Sequence, residues 1–293
     1  MKVWNTGAVL FVAASIALAG CGNKENNQAE SAEAGTTAAN TANTTTESAD
    51  APVDLTDAMT GYKTYGIEQC DQFIIETEKF VTAVKNGDLE TAKALYAPTR
   101  MYYERIEPIA ESLGDFDPNI DARENDVPDA DWRGFHKIEQ SLWVNNTTDG
   151  MAEVADRLFS DVQALRALME TVEVDSTMLV TGAVELLNEV SSSKVTGEEE
   201  RYSHTDLYDF VANVEGAKKI YELLQPALQA KDAELEAQIG ENFTAMETLL
   251  AKYKSGDGYV SYTDLTEADT KALSQALDAL AEPLSQMGTI LEA

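Results

Sequence analysis

Two cysteines and two histidines are all the thiolate and imidazole donors in this 293-residue chain. Cys21 and Cys70 cannot build a disulfide framework, and there is no Cys-x-x-Cys pair to hold zinc or carry redox chemistry. His136 and His204 lie too far apart for the one-turn His-Glu-x-x-His motif of zinc peptidases, so that motif cannot be assembled and peptidase activity is disfavoured. Also missing are a Gly-rich phosphate loop and a Gly-x-Ser-x-Gly elbow. Positive charge is scarce: 21 Lys and Arg face 52 Asp and Glu, for a net charge of −31. That balance excludes nucleic acid and anionic membrane surfaces as partners. It suits solubility, a salty habitat, or a field that gathers cations. No alternating apolar–polar pattern persists anywhere, so a β architecture is excluded too.

Long apolar runs are equally rare. Ala8–Ala19 is one, behind Lys2, and it is too short for an ordinary membrane-spanning helix. It ends in Leu18-Ala19-Gly20-Cys21, which resembles the lipobox of bacterial lipoproteins. The resemblance implies a signal peptide over residues 1–20 and lipidation of Cys21, leaving the membrane contacted through a lipid anchor only. Residues 21–55 read as a disordered tether: Asn, Thr, Ala, Ser and Glu dominate, and no large apolar residue appears before Val53. With Cys21 consumed by lipid, Cys70 has no disulfide partner. Its spacing from Ile67, Phe73 and Ile74 makes it a buried small hydrophobe.

What the remainder has in plenty is helical periodicity. The pattern predicts helices over Asp57–Asn86 (ending at Gly87), Asp88–Tyr96, Pro98 to about Leu113, Asp149–Val172, Ser176–Val190, Thr205–Ala230, Asp232–Lys254 and Thr266–Leu291. Pro108 should kink the third of these and free the carbonyl of Glu104. Gly114–Ala130 reads as a long acidic loop and Ser255–Gly258 as a break. The whole, residues 56–293, amounts to two helical bundles dividing near 172–175.

The residues with chemistry to offer are carboxylates and one imidazole. Trp132–Trp143 reads as an amphipathic helix whose apolar face is Phe135, Ile138, Leu142 and Trp143. His136 and Glu139 stand at i and i+3 on it, so they share a face. Upstream, Glu104 and Glu107 have the same spacing. Oxygen donors with one imidazole suit iron, manganese or zinc better than Cu(I). Di-iron bundles use paired Glu-x-x-His motifs, whereas here the order is reversed and occurs once. Glu104 and Glu107 also read as a solvated helix face beside Arg100 and Arg105, and the residues alone leave both readings open.

Several longer motifs carry a resemblance. They are Ala94-Leu95-Tyr96-Ala97-Pro98-Thr99-Arg100, Tyr103-Glu104-Arg105-Ile106-Glu107-Pro108-Ile109-Ala110-Glu111, Ile120-Asp121-Ala122-Arg123-Glu124, Gly134-Phe135-His136, and Gly197-Glu198-Glu199-Glu200-Arg201-Tyr202-Ser203-His204-Thr205-Asp206-Leu207. Together they closely resemble the EfeO/EfeM iron-uptake proteins of the imelysin-like group, with its Gly-x-His-x-x-Glu signature, from about Ala58 to the C-terminus. The resemblance implies an all-α, bilobed pair of bundles that binds Fe2+ or Fe3+ outside the cytoplasmic membrane, with Zn2+ and Cu2+ as further ions in vitro. It implies delivery to an Efe-type iron permease, with a haem-dependent peroxidase in some systems, and no catalysis by this chain. The family's metal positions fall on His136, Glu139, Glu104, Glu107, Asp121 and Glu199. Many EfeO members carry a cupredoxin domain where this chain has its tether, so the shorter EfeM form is expected, without a copper-centre oxidation step. The rival functions are a metal-dependent envelope protein binding an acidic polymer or protein partner, a ferroxidase, and a metallopeptidase.

Overall fold

The computed structural model describes residues 53–192 and 194–292. The signal peptide, lipidated Cys21 and tether expected from the sequence lie outside the described residues as far as residue 52. Ten α-helices follow in order among them: α1 (Thr56–Lys85), α2 (Leu89–Glu104), α3 (Glu107–Ser112), α4 (Phe116–Ile120), α5 (Phe135–Trp143), α6 (Ala152–Met169), α7 (Ser176–Ser192), α8 (Asp206–Lys231), α9 (Ala233–Leu250) and α10 (Glu267–Glu292). The Ser255–Gly258 break is a two-residue antiparallel hairpin, β1 (Lys254–Ser255) with β2 (Gly258–Tyr259). No helix among the described residues is long and apolar enough to cross a membrane.

Helix α1 packs on α2 and α6, while α7, α8, α9 and α10 pack on one another. Helix α8 also lies along α2 and α1, and the buried side chains of all these helices form one continuous core. Cys70 belongs to it, and burial pushes its thiol up to about 12, as a small inert hydrophobe requires.

Three expectations are corrected. The helix begun at Asp88, whose carboxylate caps it by accepting from the Thr91 N–H at 3.1 Å, does not stop at Tyr96. It runs through Pro98 to Glu104, because Tyr96, Ala97, Thr99 and Arg100 are all buried and tertiary packing outweighs the one hydrogen bond proline forfeits. The break falls at Arg105–Ile106 instead, so Glu104 closes α2 and Glu107 opens α3, rather than sharing an unbroken helix. Pro108 sits in the first turn of α3, where its missing N–H costs nothing. The Glu104 carbonyl is indeed free of the helix, and Asn213 Nδ2 on α8 donates to it at 2.9 Å.

The acidic loop is the second correction. It contains α4, which is anchored by the fully buried Ile120. The third is the start of α5 at Phe135, not Trp132. Trp132 precedes the helix and donates through Nε1 to the Ala122 carbonyl at 2.8 Å, pinning the end of the loop back on its middle.

Aromatic packing fixes α5 in place. Phe135 stacks on Phe73 and Phe80 of α1, with ring centroids 5.8 and 5.5 Å apart, and meets Tyr96 of α2 edge-on at 6.0 Å. Burying one such ring stabilises the fold by about 1.5–3 kcal/mol, and each aromatic pair adds about 0.5–1.5 kcal/mol. With Phe135 turned into this cluster, the next residue, His136, faces α2 and α4.

Candidate metal centre

Two glycines let the elements carrying carboxylates approach closely. Gly134 has φ +90°, and a Cβ there would stand 2.3 Å from the Ile120 carbonyl oxygen. Only glycine lets the start of α5 lie against the end of α4, and this brings Asp121 to His136. Gly216 on α8 does the same at the α2–α3 break, where a Cβ would meet the Arg105 carbonyl oxygen at 2.5 Å.

Every residue the sequence singled out for metal converges here, and all are buried: Glu104, Glu107, Asp121, His136, Glu139 and Glu199. They fall into three overlapping groups whose potential ligand atoms lie within 4.8 Å of one another. One is Asp121, His136 and Glu199; another is Glu104, Glu107 and Asp121; the third is His136, Glu139 and Glu200. His204, with φ +57°, joins no such group among the described residues.

The imidazole is oriented from one side. His136 Nδ1 lies 3.1 Å from Glu139 Oε2 and 3.4 Å from the Tyr96 hydroxyl. Glu139 Oε1 accepts from the backbone N–H groups of Tyr202 and Ser203 at 3.0 and 2.8 Å. Both oxygens of Glu139 are therefore engaged, one holding the ring and the other holding the 197–204 segment onto α5. On the far side, His136 Nε2 is buried without a hydrogen-bond partner. It faces Asp121 Oδ1 and Glu199 Oε1, each 3.7 Å away, too far for a hydrogen bond. An orphaned ring nitrogen between two carboxylate oxygens fits a cation, and the donor set of oxygens with one imidazole suits iron, manganese or zinc.

The residues missed in the sequence are mostly the ones that balance charge. Arg100 is fully buried, with its guanidinium against Glu104 Oε1 at 2.6 Å, Glu200 Oε1 at 2.6 Å, Asp209 Oδ1 at 3.5 Å, and Asp121. Lys194 is fully buried as well, at 2.5 Å from Glu104 and 3.0 Å from Glu107. This overturns the solvated-face reading: Arg100 lies inside with both glutamates, and only Arg105 points outward, to Glu215 at 2.8 Å. Arg123, from the loop, covers Glu199 at 2.7 Å. Signals for some of these exist in the sequence. Arg100 is one turn before Glu104, Glu200 adjoins Glu199, and Asp206, Asp209 and Asn213 recur at helical spacing on α8. Lys194 has no such local signal.

Even so, the buried acids outnumber the buried bases. Among the described residues, Glu104, Glu107, Asp121, Glu139, Glu199, Glu200, Asp206 and Asp209 are buried with Arg100, Lys194 and the imidazole, and the part-exposed Arg123 reaches Glu199. Burial, and then the Glu104 charge, push Glu107 well above the usual carboxylate range. Burial and the neighbouring Glu139 do the same to Glu200. For Glu104 burial pulls upward too, but Lys194 and Arg100 outweigh it and hold the group below its ordinary value. Glu199 is likewise held low against burial, first by Lys194 and then by His136. Burial and Arg100 press His136 downward, yet the Glu139 hydrogen bond and the facing Glu199 and Asp121 prevail and raise it to about 9. The metal-free site thus retains protons on several groups because it lacks positive charge.

Comparisons with known proteins give the family. The imelysin family model, Peptidase_M75, matches residues 58–287. An Efem/EfeO family lipoprotein from Staphylococcus haemolyticus (strain JCSC1435) is 45% identical over 288 residues, covering 97% of this chain and 98% of that protein. The iron uptake system component EfeO of Escherichia coli O157:H7 is 48% identical over 246 residues, 83% of this chain and 66% of EfeO. In Escherichia coli K12 the same component is 47% identical over the same span. With a family model matched along most of its length and relatives this similar, the chain belongs to the imelysin family, in its EfeO/EfeM group.

Proposed function

We propose that this chain binds iron as cargo in the cell envelope and delivers it to an Efe-type membrane permease. The observation that carries the reading is the orphaned His136 Nε2 between Asp121 and Glu199, buried beside the Glu104–Glu107 pair. The EfeO relatives are iron uptake system components, which supports iron as the ion. His136, Asp121, Glu199, Glu104 and Glu107 would hold it, and Glu139 would hold the imidazole with Nε2 turned inward. The ion would lie where α2, α3, α5 and α8 meet, between two bundles that divide near 172–175. Cys21 would carry the lipid that keeps the protein at the membrane, and a haem-dependent peroxidase would be a further partner.

The chemistry asked of this chain is binding and release, with no turnover. A single imidazole, held at Nδ1 by Glu139 and turned to the carboxylates at Nε2, supports a carrier over a peptidase, despite the family model's name. The test is calorimetric titration of the folded domain with Fe2+ without oxygen and Fe3+ in air, beside Zn2+ and Cu2+. Stoichiometric iron binding, without oxygen consumption and without casein cleavage, is the expected result. Zinc-dependent cleavage, or catalytic oxygen uptake with Fe2+, would replace the carrier by an enzyme.

A further inference from the structure

One half of the site is filled by the protein's own charge. Glu104 Oε2 accepts from Lys194 Nζ at 2.5 Å and from Asn213 Nδ2 at 3.1 Å. Glu107 Oε2 takes the same two donors at 3.0 and 2.9 Å. An ammonium seated between two buried carboxylates stands where a metal ion shared by them would stand. The other half differs: His136 Nε2 has no hydrogen-bond partner and faces Asp121 and Glu199 across 3.7 Å.

The lysine is not locked in by a long helix. It belongs to a three-residue 3-10 turn, Lys194–Thr196, ahead of Gly197. A third carboxylate, Glu189 on α7, lies 3.7 Å from Nζ with its side chain 29% exposed. It marks a direction toward the surface in which the ammonium keeps a counter-ion.

We propose that Lys194 is an internal cation that competes with the metal for the Glu104–Glu107 pair, so that capture at this pair exchanges an ammonium for an ion. The inference rests on the iron-binding reading above. Without the ammonium, Glu104 would keep the Arg100 guanidinium but Glu107 would lose its one close cation, and a buried carboxylate left in that way is unfavourable. An ammonium, an ion or a proton must therefore occupy the pair at every stage of loading and unloading. As the ion leaves, the ammonium returns, and release does not expose bare carboxylates. The His136–Asp121–Glu199 triangle, where Nε2 has no hydrogen-bond partner, is then the first point of capture. Lys194 sets the affinity below what the same carboxylates would reach without a rival, which suits a carrier that has to give its cargo up.

The test compares wild type with Lys194→Met and with Lys194→Gln, which retains amide donors and loses the charge. Anaerobic Fe2+ titration by calorimetry should give Kd values at least tenfold lower in both variants. Release to a chromophoric Fe2+ chelator should be at least tenfold slower. Should either variant fail to fold without metal, Fe2+ is expected to restore its helical circular dichroism, since the ion takes the ammonium's place. Folded variants that bind as wild type does, or more weakly, would overturn the proposal. So would variants that fail to fold both with and without metal, which would make Lys194 a structural cation no ion replaces. Wild-type protein that binds no iron would remove the functional reading itself, and with it this inference. The wild-type titration therefore separates the two failures.

Discussion

Glu139 shows how one carboxylate does two jobs through its two oxygens. Oε2 fixes the His136 ring and Oε1 caps two backbone N–H groups of the 197–204 segment. Glu139→Gln preserves size and an acceptor, but an amide cannot satisfy both the backbone donors and a protonated Nδ1 as a carboxylate does. Iron affinity should fall about 10- to 100-fold, as is usual when the group orienting a ligand imidazole is lost, with little change in fold. Calorimetry on the variant checks this, and unchanged affinity would reduce Glu139 to packing. His136 itself predicts a pH dependence. Its pKa rises from about 6.5 in the unfolded chain to about 9 in the folded, metal-free protein. A folded value raised in this way contributes stability that is fully present below pH 6.5 and is lost as the pH climbs through about 9. Across that window metal-free wild type should lose about 3 kcal/mol relative to His136→Gln, measured by urea melts at the two ends. A difference that stays constant with pH would mean the imidazole is neutral throughout. Because an ion must replace the Nε2 proton, iron binding should strengthen over the same range.

At the scale of elements, the site is made by interruptions. Helix α2 stops at Glu104 and α3 starts at Glu107, and the gap turns both carboxylates toward Lys194 and Asn213. The start of α5 meets the end of α4 through Gly134. Gly134→Ala combines a strained positive φ with a Cβ 2.3 Å from a backbone oxygen, which no side-chain rotation relieves. It should destabilise the fold by about 2 kcal/mol or more and weaken iron binding by separating Asp121 from His136. Gly114→Ala is the control, since its added Cβ would meet nothing within 4 Å. Its positive φ of +90° carries a comparable backbone strain, without the clash. Thermal melting and iron titration of both variants separate backbone strain from the loss of helix contact. If Gly114→Ala weakened iron binding as much as Gly134→Ala, the α4–α5 contact would have no special role.

For the molecule as a whole, the acidic excess is not only a solvated surface. A part of it is gathered where α2, α3, α5 and α8 meet, beside too few cations. An ion bound there stabilises the folded chain by mass action and supplies the missing charge. At a free iron concentration one hundred times Kd, the stabilisation should be about 2.7 kcal/mol, or roughly 5–11 °C in Tm for a domain of this size. Differential scanning calorimetry with and without Fe2+ reads it, and Glu104→Gln should reduce the shift. Absence of any shift at saturating iron would place the ion outside the folded state's requirements.

How much of this the sequence contained differs between fold and site. Helical class, the long helices to within a few residues, the Gly87 stop and the Asp88 cap follow from local periodicity and end chemistry, which need no partner. Of the six candidate ligands, His136, Glu139, Glu104 and Glu107 stood out by their spacing, and Asp121 and Glu199 only by likeness to known motifs. Their chemistry was not. Whether Glu104 and Glu107 were a wet face or a buried pair depends on what covers them, and α8 does so from more than a hundred residues away, through Asn213. Passage of α2 through Pro98, the break at Arg105, the orphaned Nε2 and the ammonium of Lys194 are likewise products of long-range packing. Local sequence dictates which groups can bind a cation. Burial decides which of them are charged and which are already paired with one, because the energy of a charge depends on its whole surroundings.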